Sequence, residues 1–159
     1  VRMLLAKDLD GQQANFTGNE FGVNALMIAA QNGNTNIVQM LMATPTATAQ
    51  AKKTDKAGKN ALMAASQNGH VDIVKLLLST DQDGQQANAT ESHYGVNALM
   101  FAAQYGHLEI VKLLLATPTG AAQAKTMDPE GVNALKAAER GGHQDIVQLL
   151  LAVSKGDKE

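Results

Sequence analysis

One line is written four times in this chain: "NALMIAAQNGNTNIVQMLM" from Asn24, "NALMAASQNGHVDIVKLLL" from Asn60, "NALMFAAQYGHLEIVKLLL" from Asn97 and "NALKAAERGGHQDIVQLLL" from Asn133. The four asparagines stand 36, 37 and 36 residues apart. A fixed period of that size admits few folds other than a stack of like units, each covering its neighbour. A longer period lies over it. "DGQQAN" at Asp10–Asn15 returns at Asp83–Asn88, and "ATPT" at Ala43–Thr46 returns at Ala116–Thr119, both after 73 residues. Two kinds of connector therefore alternate between copies.

Each copy reads as two helices. Asn97 suits an N-cap, its side-chain oxygen taking a first-turn amide. "ALMFAAQY" follows as a short helix whose Ala102 and Ala103 let a neighbour approach, and Gly106 can end it in the left-handed conformation. A second helix begins near Leu108. Its Glu109, like Asp72 and Asp145 in other copies, favours the positive end of the helix dipole. "IVKLLL" is apolar over too wide an arc for a surface helix, so it is covered on more than one side. Neither helix reaches the dozen or so residues needed to stand alone in water, so stacking supplies the stability.

At this point the residues resemble the ankyrin repeat, whose pattern runs D-x-x-G-x-T-P-L-H-x-A-A-x-x-G-H-x-x-I-V-x-x-L-L. "DKAGKNALMAASQNGHVDIVKLL" at Asp55–Leu77 and "DPEGVNALKAAERGGHQDIVQLL" at Asp128–Leu150 carry the resemblance. It implies an all-α solenoid of stacked antiparallel helix pairs joined by extended, hairpin-like loops. On that reading the chain is one domain: a leading half-repeat at 1–21, then repeats at 22–57, 58–94, 95–130 and 131–159. Three departures stand out. Asn replaces the family's capping Thr. Met27, Met63 and Met100 replace its His, so apolar packing must replace a side-chain hydrogen bond. The connectors are longer, with Thr44-Pro45 and Thr117-Pro118 as helix stops, which predicts fingers in "TAQAKKTDKAG" and "GAAQAKTMDPEG" with enlarged bases. Lys136 and Glu139 put charge on a face that is apolar elsewhere, as a terminal repeat does. Val1–Ala6 aligns with a second helix lacking its first, so the outer side of Val1, Leu4 and Leu5 is expected to be covered by an upstream helix, a partner or a second copy of the chain.

Little in the chain points to chemistry. Net charge is −2 with mixed signs, which disfavours nucleic-acid binding. No apolar run approaches a membrane span, and "VRMLLAKDLD" does not read as a secretory signal. Cysteine is absent, which excludes thiolate chemistry and leaves the compartment open. The two N-x-T sequons, at Asn15 and Asn88, occupy equivalent positions and read as one motif copied. His70, His107 and His143 follow the repeat glycine one unit apart, too far to share a metal, and are expected to bond local backbone. Asp8-x-Asp10-Gly11 and Asp81-x-Asp83-Gly84 lack the Gly and Glu spacing of a calcium loop and suit a turn. No phosphate loop, zinc-protease or nucleophile-elbow motif occurs. The expectation is a non-enzyme without metal or cofactor.

A stack of this kind binds through its flank. The resemblance implies the concave side, made of finger tips and the exposed ends of the first helices. The tips map to Phe21, Lys56, His93, Tyr94 and Glu130, and the positions after the finger glycine to Val23, Lys59, Val96 and Val132. The helix ends map to Gln31, Asn32, Gln67, Asn68, Gln104, Tyr105 and Arg140. Of five aromatics, Phe21, Tyr94 and Tyr105 fall on this set, which favours anchors for a protein partner. Tyr94 and Tyr105 share a repeat and are expected to make one patch, Phe101 to pack in the core. Lys56, Lys59 and Arg140 suit a polar or mildly acidic partner. The alternative is a spacer segment of a longer array without a partner of its own.

Overall fold

The structure, a computed structural model, describes residues 20–81 and 83–156. The half-repeat with Val1, Leu4 and Leu5, the first sequon and Asp8-x-Asp10 lie outside the described residues. The described chain is helical, without a strand, and its elements repeat in sets of three. Repeat 1 holds α1 (Ala25–Gln31), α2 (Thr35–Met42) and α3 (Ala47–Lys52). Repeat 2 holds α4 (Ala61–Gln67), α5 (Val71–Leu78) and α6 (Gln85–Asn88). Repeat 3 holds α7 (Ala98–Gln104), α8 (Leu108–Leu115) and α9 (Gly120–Lys125). Repeat 4 holds α10 (Ala134–Gly141) and the longer α11 (Gln144–Gly156).

The helices stack in ladders. First helices α1, α4, α7 and α10 pack one on the next, second helices α2, α5 and α8 do the same, and α3, α6 and α9 form a third row. One continuous core results. Leu26, Leu62 and Leu99 are fully buried in the first ladder, and Val74, Leu77, Val111 and Leu114 in the second. Met27, Met63 and Met100 are buried as well, so apolar packing fills the place where the family's His would hydrogen-bond.

The third ladder corrects the sequence reading. Hairpin-like connectors were expected throughout, yet their first halves are helical. These helices have four to six residues, too few for propensity alone, and buried glutamines anchor them. Gln50 Nε2 donates to Thr44 Oγ1 at 3.2 Å and Thr46 Oγ1 at 2.9 Å. Gln123 Nε2 does the same with Thr117 Oγ1 and Thr119 Oγ1 at 3.2 and 3.1 Å. Thr44 and Thr117 thus do more than precede a stopping proline. In the other connector, Asp81 takes the amides of Gln86 and Ala87 on its two oxygens at 3.0 and 2.9 Å. The Asp81-x-Asp83-Gly84 stretch is therefore a helix-capping turn, with Gly84 left-handed at φ 70°. The buried Oε1 atoms of Gln50, Gln86 and Gln123 meet no donor among the described residues.

The repeat asparagines join the ladders. Oδ1 of Asn24, Asn60 and Asn97 accepts the amide of Met27, Met63 and Met100 at 2.9 Å, the expected cap. Their Nδ2 groups donate to the backbone carbonyls of Gln50, Gln86 and Gln123 at 3.3, 2.9 and 3.1 Å. A threonine hydroxyl can accept and donate too, but from a single atom on a shorter side chain, so it does not span both partners as the two ends of a carboxamide do. Asn133 keeps the cap, at 3.0 Å from the Lys136 amide.

The repeat histidines also link copies rather than bonding their own turn as expected. His70, His107 and His143 bring Nε2 to the carbonyl oxygens of Gln31, Gln67 and Gln104, one repeat back, at 3.1, 3.1 and 3.0 Å. A carbonyl only accepts, so Nε2 carries the proton. The imidazole fits because the preceding repeat offers a left-handed glycine: a Cβ on Gly69, at φ 77°, would lie 2.7 Å from the His107 ring.

The two-armed asparagine makes a graded prediction. Asn97→Ala should cost about 2–3 kcal/mol in urea unfolding, as cap and buried hydrogen bond go together. Asn97→Thr should cost about 1 kcal/mol, since only the second arm is lost. Asn133→Thr should stay below about 0.5 kcal/mol. Equal losses for Asn97→Thr and Asn133→Thr would mean that the amide-to-connector bond carries no weight.

Candidate functional site

The fingers are made by carboxylates gripping their own turns. Asp55 Oδ1 accepts the amides of Ala57 and Lys59, both at 2.9 Å. Asp128 Oδ1 accepts those of Glu130 and Val132 at 2.9 and 2.7 Å. Glu91 takes His93 and Tyr94 on its two oxygens at 2.8 and 3.1 Å. Neighbouring fingers are joined through backbone, Lys56 donating to the Phe21 carbonyl at 2.9 Å and Ser92 to that of Ala57 at 2.6 Å. The first three tips therefore form a joined row, and in each later finger an acid takes the amides that a loose loop would leave to water.

Lys59 is the electrostatic centre of the face. It is half-buried, its ammonium hydrogen-bonded to Gln67 Oε1 and seated 5.2 Å above the Phe101 ring. Burial pulls its pKa below the usual lysine value, while the charges of Asp55 and Glu91 oppose that drop. Gln67 Nε2 in turn donates to Tyr105 Oη at 3.3 Å. Lys59, Gln67, Phe101 and Tyr105 thus form one connected set across repeats 2 and 3, spanning finger base and helix end. At the far end, Arg140 lies 4.0 Å from Glu130, a weak exposed pair.

Most residues named from the sequence lie at this surface. Phe21, Gln31, Asn32, Lys56, Asn68, His93, Tyr94, Gln104, Tyr105, Glu130 and Arg140 are exposed, and Val23, Lys59, Gln67 and Val96 half-buried. Val132 is the exception. It is 6% exposed, sealed under the last finger against the core, and offers a partner nothing. Tyr94 and Tyr105 take different neighbours: the Tyr94 ring lies 6.4 Å from that of His93 at the tip, and Tyr105 bonds Gln67 at the helix end. Phe101 packs against the core as expected but is only half-buried, and Lys59 covers its ring at the face.

Two surface residues escaped the sequence reading. Ile28 is 47% exposed, and Phe101 holds the same register two repeats further along the first-helix ladder. Ala64 and Ala137 occupy that register in the other repeats. The signal was available in the variation itself: a position alternating bulky and small residues inside a nearly invariant line.

A family model of ankyrin repeats, spanning three copies, matches residues 1–91 and 82–159. The chain belongs to the ankyrin-repeat family. Ankyrin repeats generally serve as protein–protein interaction modules, and the family is typically non-enzymatic. Curated proteins compared with the chain give no match. Among the described residues no helix is long and apolar enough to cross a membrane.

The electrostatics of this ankyrin-repeat face can be checked directly. Lys59 should titrate below 10.5, the ordinary lysine value, in an NMR pH series. Asp55→Asn keeps the oxygen that grips Ala57 and Lys59 but removes a charge that raises the Lys59 pKa. The pKa should therefore fall further. A rise would mean that Asp55 acts on Lys59 by shielding it from water rather than by charge.

Proposed function

We propose that this ankyrin-repeat chain is a non-catalytic binding module whose concave face, between the finger row and the first helices, takes a protein partner. The observation that carries the reading is the company kept by its exposed rings. Phe21, Tyr94 and Tyr105 are 62%, 67% and 48% exposed, in a chain with only five aromatics. Large rings left in water on a surface pinned by backbone and side-chain bonds suit anchors that lose little entropy on contact.

The partner's chemistry follows from the lysines. Lys56 is exposed at a tip and Lys59 is partly desolvated at the finger base. An acidic or amide side chain entering beside Phe101 would replace lost hydration at Lys59 and cover the ring in one step. The preferred partner segment is therefore mildly acidic with at least one apolar side chain. The spacer alternative has weaker support, since a spacer gives no reason for exposed rings to gather on one flank.

The test is a paired substitution read against a back-surface control. Tyr94→Ala with Tyr105→Ala should weaken partner binding about 10- to 100-fold while the melting temperature stays within about 3 °C. Lys75→Ala, on the second-helix side where Lys75 lies 3.8 Å from Glu109, should leave binding unchanged. Retained binding in the tyrosine variant, or a loss matched by Lys75→Ala, would place the contact elsewhere.

A further inference from the structure

The hydrogen bonds around Lys59 run in one direction. An ammonium can only donate, so the Gln67 atom that faces Lys59 is its oxygen, Oε1. That fixes the other end of the carboxamide, whose Nε2 donates to Tyr105 Oη at 3.3 Å. A hydroxyl that accepts still carries its own proton, and among the described residues nothing takes the one on Tyr105. Lys59 likewise has N–H bonds beyond the one spent on Gln67, and the Phe101 ring lies 5.2 Å from its charge. The set therefore offers an ammonium at one end and a hydroxyl proton at the other.

No carboxylate completes it. None of the ion pairs among the described residues includes Lys59. The acids close enough to act on its charge are Asp55 and Glu91, and both are committed to their own fingers. Asp55 Oδ1 holds the amides of Ala57 and Lys59, and the two oxygens of Glu91 hold those of His93 and Tyr94. Burial has meanwhile taken water from the ammonium, which is why the Lys59 pKa is pulled down. A desolvated cation in this state gains most from a ligand that brings the opposite charge and accepts hydrogen bonds. Lys56 adds a second, exposed cation on the same finger.

A carboxylate meets both needs. Its two oxygens only accept, and only the carboxamide of Gln67 separates the ammonium from the Tyr105 hydroxyl. One oxygen can take an ammonium N–H while the other takes the hydroxyl proton. A neutral amide fits worse, because its NH2 group would face one of the two donors. We propose that Lys59 and Tyr105, held in place by Gln67, form a subsite for the side-chain carboxylate of an aspartate or glutamate in the protein partner. A side chain suits the place better than a chain terminus, since repeats 1 and 4 flank the set and a bound segment runs on past it. This subsite rests on the concave-face reading and narrows it: an acid is taken and an amide is not, and Tyr105 acts through its hydroxyl as well as its ring.

Phenylacetate is the probe, a carboxylate with a ring to cover Phe101, and phenylacetamide is its neutral match. In an NMR titration the acid should shift the Gln67 side-chain amide saturably, with a Kd on the order of millimolar. The amide should bind about tenfold more weakly. Tyr105→Phe keeps the ring and loses the proton. It should weaken the acid about three- to tenfold and leave the amide unchanged. Lys59→Met should bring acid and amide to the same affinity, with Lys59→Gln in its place if circular dichroism shows that variant unfolded. Equal binding of acid and amide to the wild type, an acid affinity untouched by Tyr105→Phe, or no saturable shift would each overturn the subsite. If that happens while Tyr94→Ala with Tyr105→Ala still weakens partner binding, the concave face stands without its acid contact. If instead the tyrosine pair leaves the partner untouched, the concave-face reading falls, and a probe that still binds marks only a small-anion site.

Discussion

A buried carboxamide with one accepting and one donating arm holds the molecule together. The oxygens of Asn24, Asn60 and Asn97 start the first helices, and their nitrogens tie down the connectors that lead to the next repeat. Without the first arm a helix of seven residues leaves a buried amide unpaired. Without the second, a connector of one or two turns has too little of its own to stay folded. The Asn that stands for the family's Thr is thus the residue that ties down the connector helix in repeats 1 to 3. The same logic explains why buried Gln50, Gln86 and Gln123 are tolerated, since each belongs to the helix that the asparagine grips.

What could be read from the letters is what acts over a few residues. Caps at the four asparagines, the left-handed Gly106, first-turn acids at Asp72, Glu109 and Asp145, and stops near Thr44 and Thr117 are local, and repetition made each visible two to four times. The connector helices were not legible because four to six residues carry no periodicity. The histidine partners were not legible because they lie 39 or 40 residues away, and Gly-His in one repeat suggested a pairing inside the turn. The glycine does touch a histidine, but the next one along.

The surface was legible in outline and mistaken in depth. Register puts Val132 beside Lys59 and Val96, but the last finger closes over an apolar side chain that costs nothing to bury. Register also makes Phe101 a core residue, as the alanines at its position are small enough to be. A phenyl ring is too large for that space, so it stays half out, where a lysine covers it. Depth depends on volume, and volume at one position is judged only against the neighbours that surround it.

The extra row of connector helices has a mechanical consequence. Two rows of rods side by side hinge along the line between them. A third row set off that line gives the array breadth in a second direction, and it resists twisting as a girder does while a plank does not. The stacked repeats keep a set pitch, and little free energy goes into straightening them.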